Sequence, residues 1–179
     1  MKMKSITVKN LGEMIGDEKN PDLWLSKPVG VNLFDGLELV FCFLNRTGKS
    51  DENKEGFEIA AYNFLSLDSS VKDSVSKLVY ENYKKMLDNS DIVPLDIVKE
   101  ADAWKYVHPR NVIVSRRNNN DKDVYVQVIC FCDWETEHDL QLVFREGRKL
   151  TRVSAADGHL TDADAYGIPD EQDKLLSSY

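Results

Sequence analysis

Residues 124–153 read VYVQVICFCDWETEHDLQLVFREGRKLTRV, and no other part of the chain restricts the fold as strongly. Two long runs of Val, Ile, Phe and Leu flank a polar connection, and a Glu146-Gly147 turn leads into a third run. Such runs, separated by short polar joints, favour strands that pair with their immediate neighbours. With Asn111–Arg117 ahead of it and the turn-rich stretch 118–123 between, an antiparallel meander of about four strands is expected from Asn111 to Val153.

Upstream the pattern is more varied. Ser5–Lys9 suits a short strand, followed by a Gly- and charge-rich connection through Gly12 and Gly16, and Leu23, Trp24 and Leu25 form a small apolar plug. Val31–Leu44 reads as two strand pieces around Asp35-Gly36, a dipeptide that tolerates φ > 0 at both turn positions. In the second piece Leu37, Leu39, Phe41 and Phe43 share one face, with Val40, Cys42 and Leu44 on the other. Both faces are apolar, as in a central strand covered on each side. The polar stretch 45–56 is expected to be an exposed loop. Its Gly48-Lys49-Ser50 lacks the upstream glycine of a phosphate-binding loop, because position 43 is Phe.

Phe57–Leu65 reads as a strand. The strongest helical signal follows, capped by Asp68 or Ser69, with Val71, Val75, Leu78, Val79, Tyr83, Met86 and Leu87 in one stripe. Pro94–Tyr106 suggests a shorter helix with Leu95, Val98, Ala101 and Trp104 inward, stopped by His108-Pro109. The segment 154–179 is acidic and loop-rich: six acids against one Lys174 supply a net −5 of the chain's −8. The expected fold is a single α+β domain spanning 1–179. It has an antiparallel sheet of about six to eight strands, with one long amphipathic helix and one short helix packed on it.

A net charge of −8 argues against nucleic acid as a partner, since phosphate neutralisation needs clustered Lys and Arg, and it disfavours anionic membrane. No leader-like apolar run opens the sequence and no stretch nears the ~20 apolar residues of a membrane span. Cys42, Cys130 and Cys132 have no framework spacing, which suits reduced thiols in the cytoplasm.

Four groups of residues bear on chemistry. In the first, Cys130 and Cys132 share a strand face, and a loop returning beneath them could add His138 or a carboxylate to complete a zinc site. The valines on the same face argue instead for buried thiols. The second is the Trp134, Glu135, Glu137 and His138 connection, where a Cys–His or Glu–Glu pair could act in hydrolysis. The plainer account makes Trp134 a plug at the sheet end, with the polar groups bonded to local backbone. Third, Asp162, Asp164, Gly167, Asp170 and Asp173 echo a calcium loop, but Tyr166 stands at a ligand position and flanking helices are not evident. Fourth, Arg116, Arg117, Arg145, Arg148, Lys149 and Arg152 form a basic set across neighbouring strands. Arg116, Arg145, Arg148 and Arg152 could dock an acidic or mixed-charge protein, and the acidic tail could equally neutralise the set.

The stretch C-x-C-D-W-E-x-E-H-D-L resembles an uncharacterised bacterial domain family with the pattern C-x-C-x-W-x-x-E-H-G-L. The matching positions are Cys130, Cys132, Trp134, Glu137, His138 and Leu140, then Gly147, Asp157 and Gly158, within residues 104–160. Asp139 stands where that pattern has Gly. The resemblance implies no established activity, and some such domains look like immunity proteins of bacterial toxin systems. The function expected is therefore a cytoplasmic, non-enzymatic protein-interaction domain without a cofactor. The alternative is a metal-dependent or Cys/His hydrolytic enzyme centred on Trp134–His138.

Overall fold

The computed structural model describes residues 4–20, 22–44, 55–90, 92–118 and 120–178. Its centre is a mixed, largely antiparallel sheet with the two longest helices on one face, so the α+β class holds. Among the described residues the sheet has nine strands rather than six to eight. These are β1 (Ser5–Val8), β2 (Gly12–Gly16), β3 (Leu23–Ser26), β4 (Val29–Val31), β5 (Leu37–Leu44), β6 (Val107–Arg116), β7 (Val124–Cys132), β8 (Glu135–Arg145) and β9 (Lys149–Ala155). Their spatial order is β1-β2-β3-β5-β6-β7-β8-β9, with β4 paired to β5 off that path. All pairings are antiparallel except β5 with β6, which run parallel.

A parallel pair needs a crossover, and helices supply it. Helix α1 (Glu55–Leu65) and helix α2 (Ser70–Asn89) lie between β5 and β6 in the chain. Phe57–Leu65 is thus helix, not strand. Phe57, Ala60, Ala61 and Phe64 follow the i, i+3, i+4, i+7 spacing of a buried helical stripe, and all four are buried. Phe57 packs on Phe43, and Phe64 on Phe41 and Phe144, with ring centroids 5.4–6.3 Å apart. Helix α2 buries Val75, Val79 and Tyr83 of the expected stripe, together with Ser76. Strand alternation assigns Phe41, Phe43, Val112, Val114, Val126, Val128, Cys130, Leu140, Leu142 and Phe144 to this helix-covered face.

Other expectations shift. Gly12–Gly16 is a strand rather than a connection, because Met14 buries against the core while its neighbours pair with β1 and β3. Leu23–Leu25 belongs to β3. Pro94–Tyr106 is irregular backbone, with a tight turn from Leu95 to Ile97, followed by a 3-10 turn at Glu100–Tyr106, and Ala103 rather than Ala101 is buried. Val98 is 85% exposed. His108 and Pro109 lie within β6, at a bulge. The Asp35-Gly36 turn has the expected φ > 0, at 57° and 83°, but Asn32–Phe34 ahead of it is a 3-10 turn rather than a strand piece, and the pairing strand is Val29–Val31. The phosphate-loop residues and most of the expected 45–56 loop lie outside the described residues.

The C-terminal segment is more ordered than its composition suggests. It carries helix α3 (Asp162–Tyr166), whose Thr161 cap accepts from the Asp164 N–H, and helix α4 (Lys174–Ser177), capped by Asp173. Leu160 packs with Tyr125 and Val143 on the face opposite α1 and α2. No helix among the described residues is long and apolar enough to cross a membrane.

Candidate functional site

The connection from β7 to β8 is shorter than the sequence suggests. Glu135 already pairs with Cys132, so Glu135, Glu137 and His138 lie on β8, and the register is irregular between Cys130 and Cys132. Trp134 is 2% exposed; its indole N–H donates to Asn82 Oδ1 at 3.0 Å and its ring meets Tyr83 edge-on. It clamps the sheet end onto α2. The Glu135 carboxylate accepts the backbone N–H groups of Glu137 and His138. Burial works against its charge, yet those bonds hold its carboxyl below the usual value. The His138 ring is exposed and 3.6 Å from Glu135.

Cys130 and Cys132 are buried in the core, and the Cys132 thiol donates to the Glu135 carbonyl. Burial pushes the Cys132 thiol up to about 12 and raises that of Cys130 as well. Both are protonated at neutral pH, so neither stands ready as a thiolate nucleophile. Among the described residues no three His, Cys, Asp or Glu side chains stand as a metal-binding group. A thiol reagent is accordingly expected to modify at most the half-buried Cys42 in the native protein, with Cys130 and Cys132 reacting after denaturation. Rapid native labelling of Cys130, read by peptide mass mapping, would contradict its burial.

The basic set does not form one docking surface. Arg116 lies on the helix side, with its guanidinium over the Phe57 ring. Arg148 is exposed. Arg145 sits on the opposite face and pairs with Asp123 at 2.6 Å. Arg152 is 2% exposed, held by Asp157, Asp162 and the His159 carbonyl. The expected partner surface is corrected on this point, since a buried, paired guanidinium cannot meet a second protein.

Arg117 is the centre of this arrangement. Its side chain is 1% exposed, and all five N–H groups have acceptors. Nε and Nη2 grip Asp164 in a two-pronged pair at 2.8 Å, while Nη1 and Nη2 reach Asp170 and Nη1 also reaches Asp121. Hydrogen bonds from Arg117 hold the Asp164 and Asp170 carboxyls below their ordinary range. Burial opposes ionisation of Asp157, but the Arg152 bonds hold that carboxyl low too. The acids that echoed a calcium loop are thus partners of arginines or helix caps.

Part of the sheet face opposite α1 and α2 remains open. Alternation places Ile15, Leu25, Val40, Cys42, Leu44, Ile113, Ile129 and Phe131 there, and all are half-buried. A solvated antiparallel face normally carries polar side chains at these positions. Two hollows indent it. One of about 540 Å³ lies over Ile15 and Leu25. The other, about 480 Å³, is bounded by Leu44, Ile113, Ser115, Gln127 and Ile129 and by Gly158, His159 and Leu160 of the C-terminal segment.

The profile of a domain-of-unknown-function family, DUF6985, matches residues 12–160. The chain belongs to the DUF6985 family. No curated protein and no solved structure matches it. The DUF6985 match takes in β2 through β9, the open face and Arg117. It ends before Asp162, Asp164 and Asp170, which complete the charge pairing of two arginines within it. Sequence reasoning missed Arg117 as a hub and Gln127 and Gln141 as polar positions inside apolar runs of two DUF6985 strands. A lone Gln within VYVQVI and again within LQLVF was the available signal.

Proposed function

We propose that this chain is a small cytoplasmic, non-enzymatic protein-interaction domain that binds its partner across the open sheet face. The observation that supports this is the apolar row from Ile15 to Phe131 on a face the helices leave uncovered. Contiguous exposed apolar surface on a folded domain marks an interaction site more often than a neutral surface. The Trp134–His138 region offers less support for hydrolysis, because its thiols are buried and protonated while the His138 ring is exposed, and its carboxylate bonds local backbone. An immunity-like role in a bacterial toxin system, as the sequence resemblance implies, is one form such binding takes within this proposal. The acidic partner expected from the arginines loses its basis, and a mixed-charge partner fits better.

A photoreactive residue at Leu25, on the open face, is expected to give a discrete protein adduct in the native cells. The same residue at Glu81, exposed on α2, should not. The Leu25 adduct should vanish when Val40→Asp places a charge on the face. Adducts of equal pattern from both positions, or none from Leu25, would overturn the assignment.

A further inference from the structure

The open face offers an occupant an aliphatic floor and few polar partners. Ile15, Leu25, Cys42 and Ile113 stand side by side across β2, β3, β5 and β6, because each is paired with the next. Val40, Leu44 and Ile129 flank this row. Two polar side chains beside it are already bonded, Asn111 to the Cys42 thiol and Gln127 to Gln141. An extended peptide laid flat on such a floor would leave backbone N–H and C=O groups without partners, which is costly. A helix bonds its own backbone and presents only side chains.

Other modes of recognition fit less well. Strand addition uses a sheet edge, whereas this row lies inside the sheet, whose outermost strands are β1 and β9. Polyproline segments dock in grooves lined by aromatic rings. Here Phe131 is the aromatic side chain of the open row, and its ring is stacked by His108 and covered by the Arg110 guanidinium at 5.1 Å. A second copy related by a two-fold axis would set this face against itself, so each hollow would need a projection from the same face. Among the described residues the large apolar side chains that project most, Leu37, Ile59, Tyr62, Val93, Val98 and Tyr166, stand elsewhere.

The two hollows set a spacing. One lies over β2 and β3 and the other around β6, roughly 12–15 Å away at a strand separation of about 4.8 Å. A helix covers that distance in about 8–10 residues. Apolar side chains two to three turns apart therefore reach both hollows, with another, one turn on from the first, lying over Cys42. We propose that an amphipathic helix of the partner protein lies across the open face from strand to strand, with one apolar side chain in each hollow. Its polar flank meets the mixed charges of the rim, Glu13, Glu18, Lys19 and Lys27. The inference rests on the interaction role proposed above and names the form and chemistry of the segment that binds.

The test is a nuclear magnetic resonance titration of the full chain with a synthetic peptide of about 18 residues, its leucines at helical spacing among glutamates and lysines. A second peptide has the same composition with its leucines alternating. The first is expected to give saturable shifts at Leu25, Val40 and Ile113 and to gain helical circular dichroism on binding. The alternating peptide should bind roughly tenfold or more weakly. Leu25→Glu and Ile113→Glu, one in each hollow, should each weaken the first peptide by about tenfold or more, and Glu81→Lys on α2 should leave it unchanged. Leu25→Glu keeps the test decisive if Ile113→Glu does not fold. Equal or tighter binding of the alternating peptide, no saturable shift with the helical one, or shifts that survive Leu25→Glu would overturn the inference. So would a dimer of the free chain that Leu25→Glu dissociates, since a second copy would then hold the face. A Leu25 adduct that persists alongside a failed titration would sink the helical mode alone; loss of the adduct with a positive titration would sink the wider role alone.

Discussion

Gly147→Ala is expected to destabilise the protein by about 3–4 kcal/mol, combining a left-handed backbone penalty with overpacking. Gly147 has φ of 68° in the turn from β8 to β9. A Cβ there would run into the Ala60 carbonyl oxygen and lie 2.9 Å from the Ala60 carbonyl carbon and 3.0 Å from the Phe64 nitrogen. These are backbone atoms of α1, so no side chain can swing aside. The turn would have to lift from the helix, breaking the 2.9 Å bond from the Asn63 side chain to the Glu146 carbonyl. Gly36→Ala is the control: its φ is 83°, but nothing lies within 4 Å of the added carbon. It should lose only about 1–2 kcal/mol. Urea midpoints with unchanged slopes would measure both. Equal losses at the two positions would refute the close approach of turn and helix.

Arg117→Leu should cost roughly 3–5 kcal/mol near neutral pH, because it leaves three carboxylates facing one another with their shared cation gone. Its pH dependence is the sharper signature. In the native protein Asp164 and Asp170 have carboxyls below their ordinary 3.8. Their stabilisation is present above that value and is lost as pH falls through the depressed folded values. Without Arg117 the crowded carboxylates should titrate above the ordinary value, so protonation favours the folded variant. The stability gap between the two proteins is expected to narrow as pH falls from 7 toward about 5, a range in which the native network stays ionised. Asp170→Asn, which leaves Arg117 two carboxylates, should lose only about 1–2 kcal/mol. A gap that stays constant with pH would show that Arg117 acts through packing and not charge.

The sequence was most legible where one periodicity ruled. The meander from β6 to β9 and the stripe of α2 follow directly from alternation and helical spacing, since each buries one side. Phe57–Leu65 failed because its Phe, Ile and Tyr residues carry strand preference, while the small Ala60 and Ala61 that let the helix approach the Gly147 turn read as neutral. Tertiary packing decided that segment. The arginines misled for another reason. A guanidinium is exposed by default, and only the fold reveals that acids from residues 157–170 return to enclose Arg117 and Arg152. The clue was present in the tail's charge, but it could not say which cations the tail would meet. The open face was readable in part: Val40, Cys42 and Leu44 suggested cover on both sides, and the described residues provide full cover on one.

The parallel junction between β5 and β6 bears on how the molecule assembles in time. Strands β6 through β9 follow one another in the chain through short connections, so that ribbon needs only short loops to close and is expected to form early. The ribbon from β1 to β5 is equally local. Aligning the two requires a long excursion of chain to return alongside, and that late closure carries the larger entropic barrier. Folding is thus expected to end with the docking of the two ribbons, their shared seam being the last joint made.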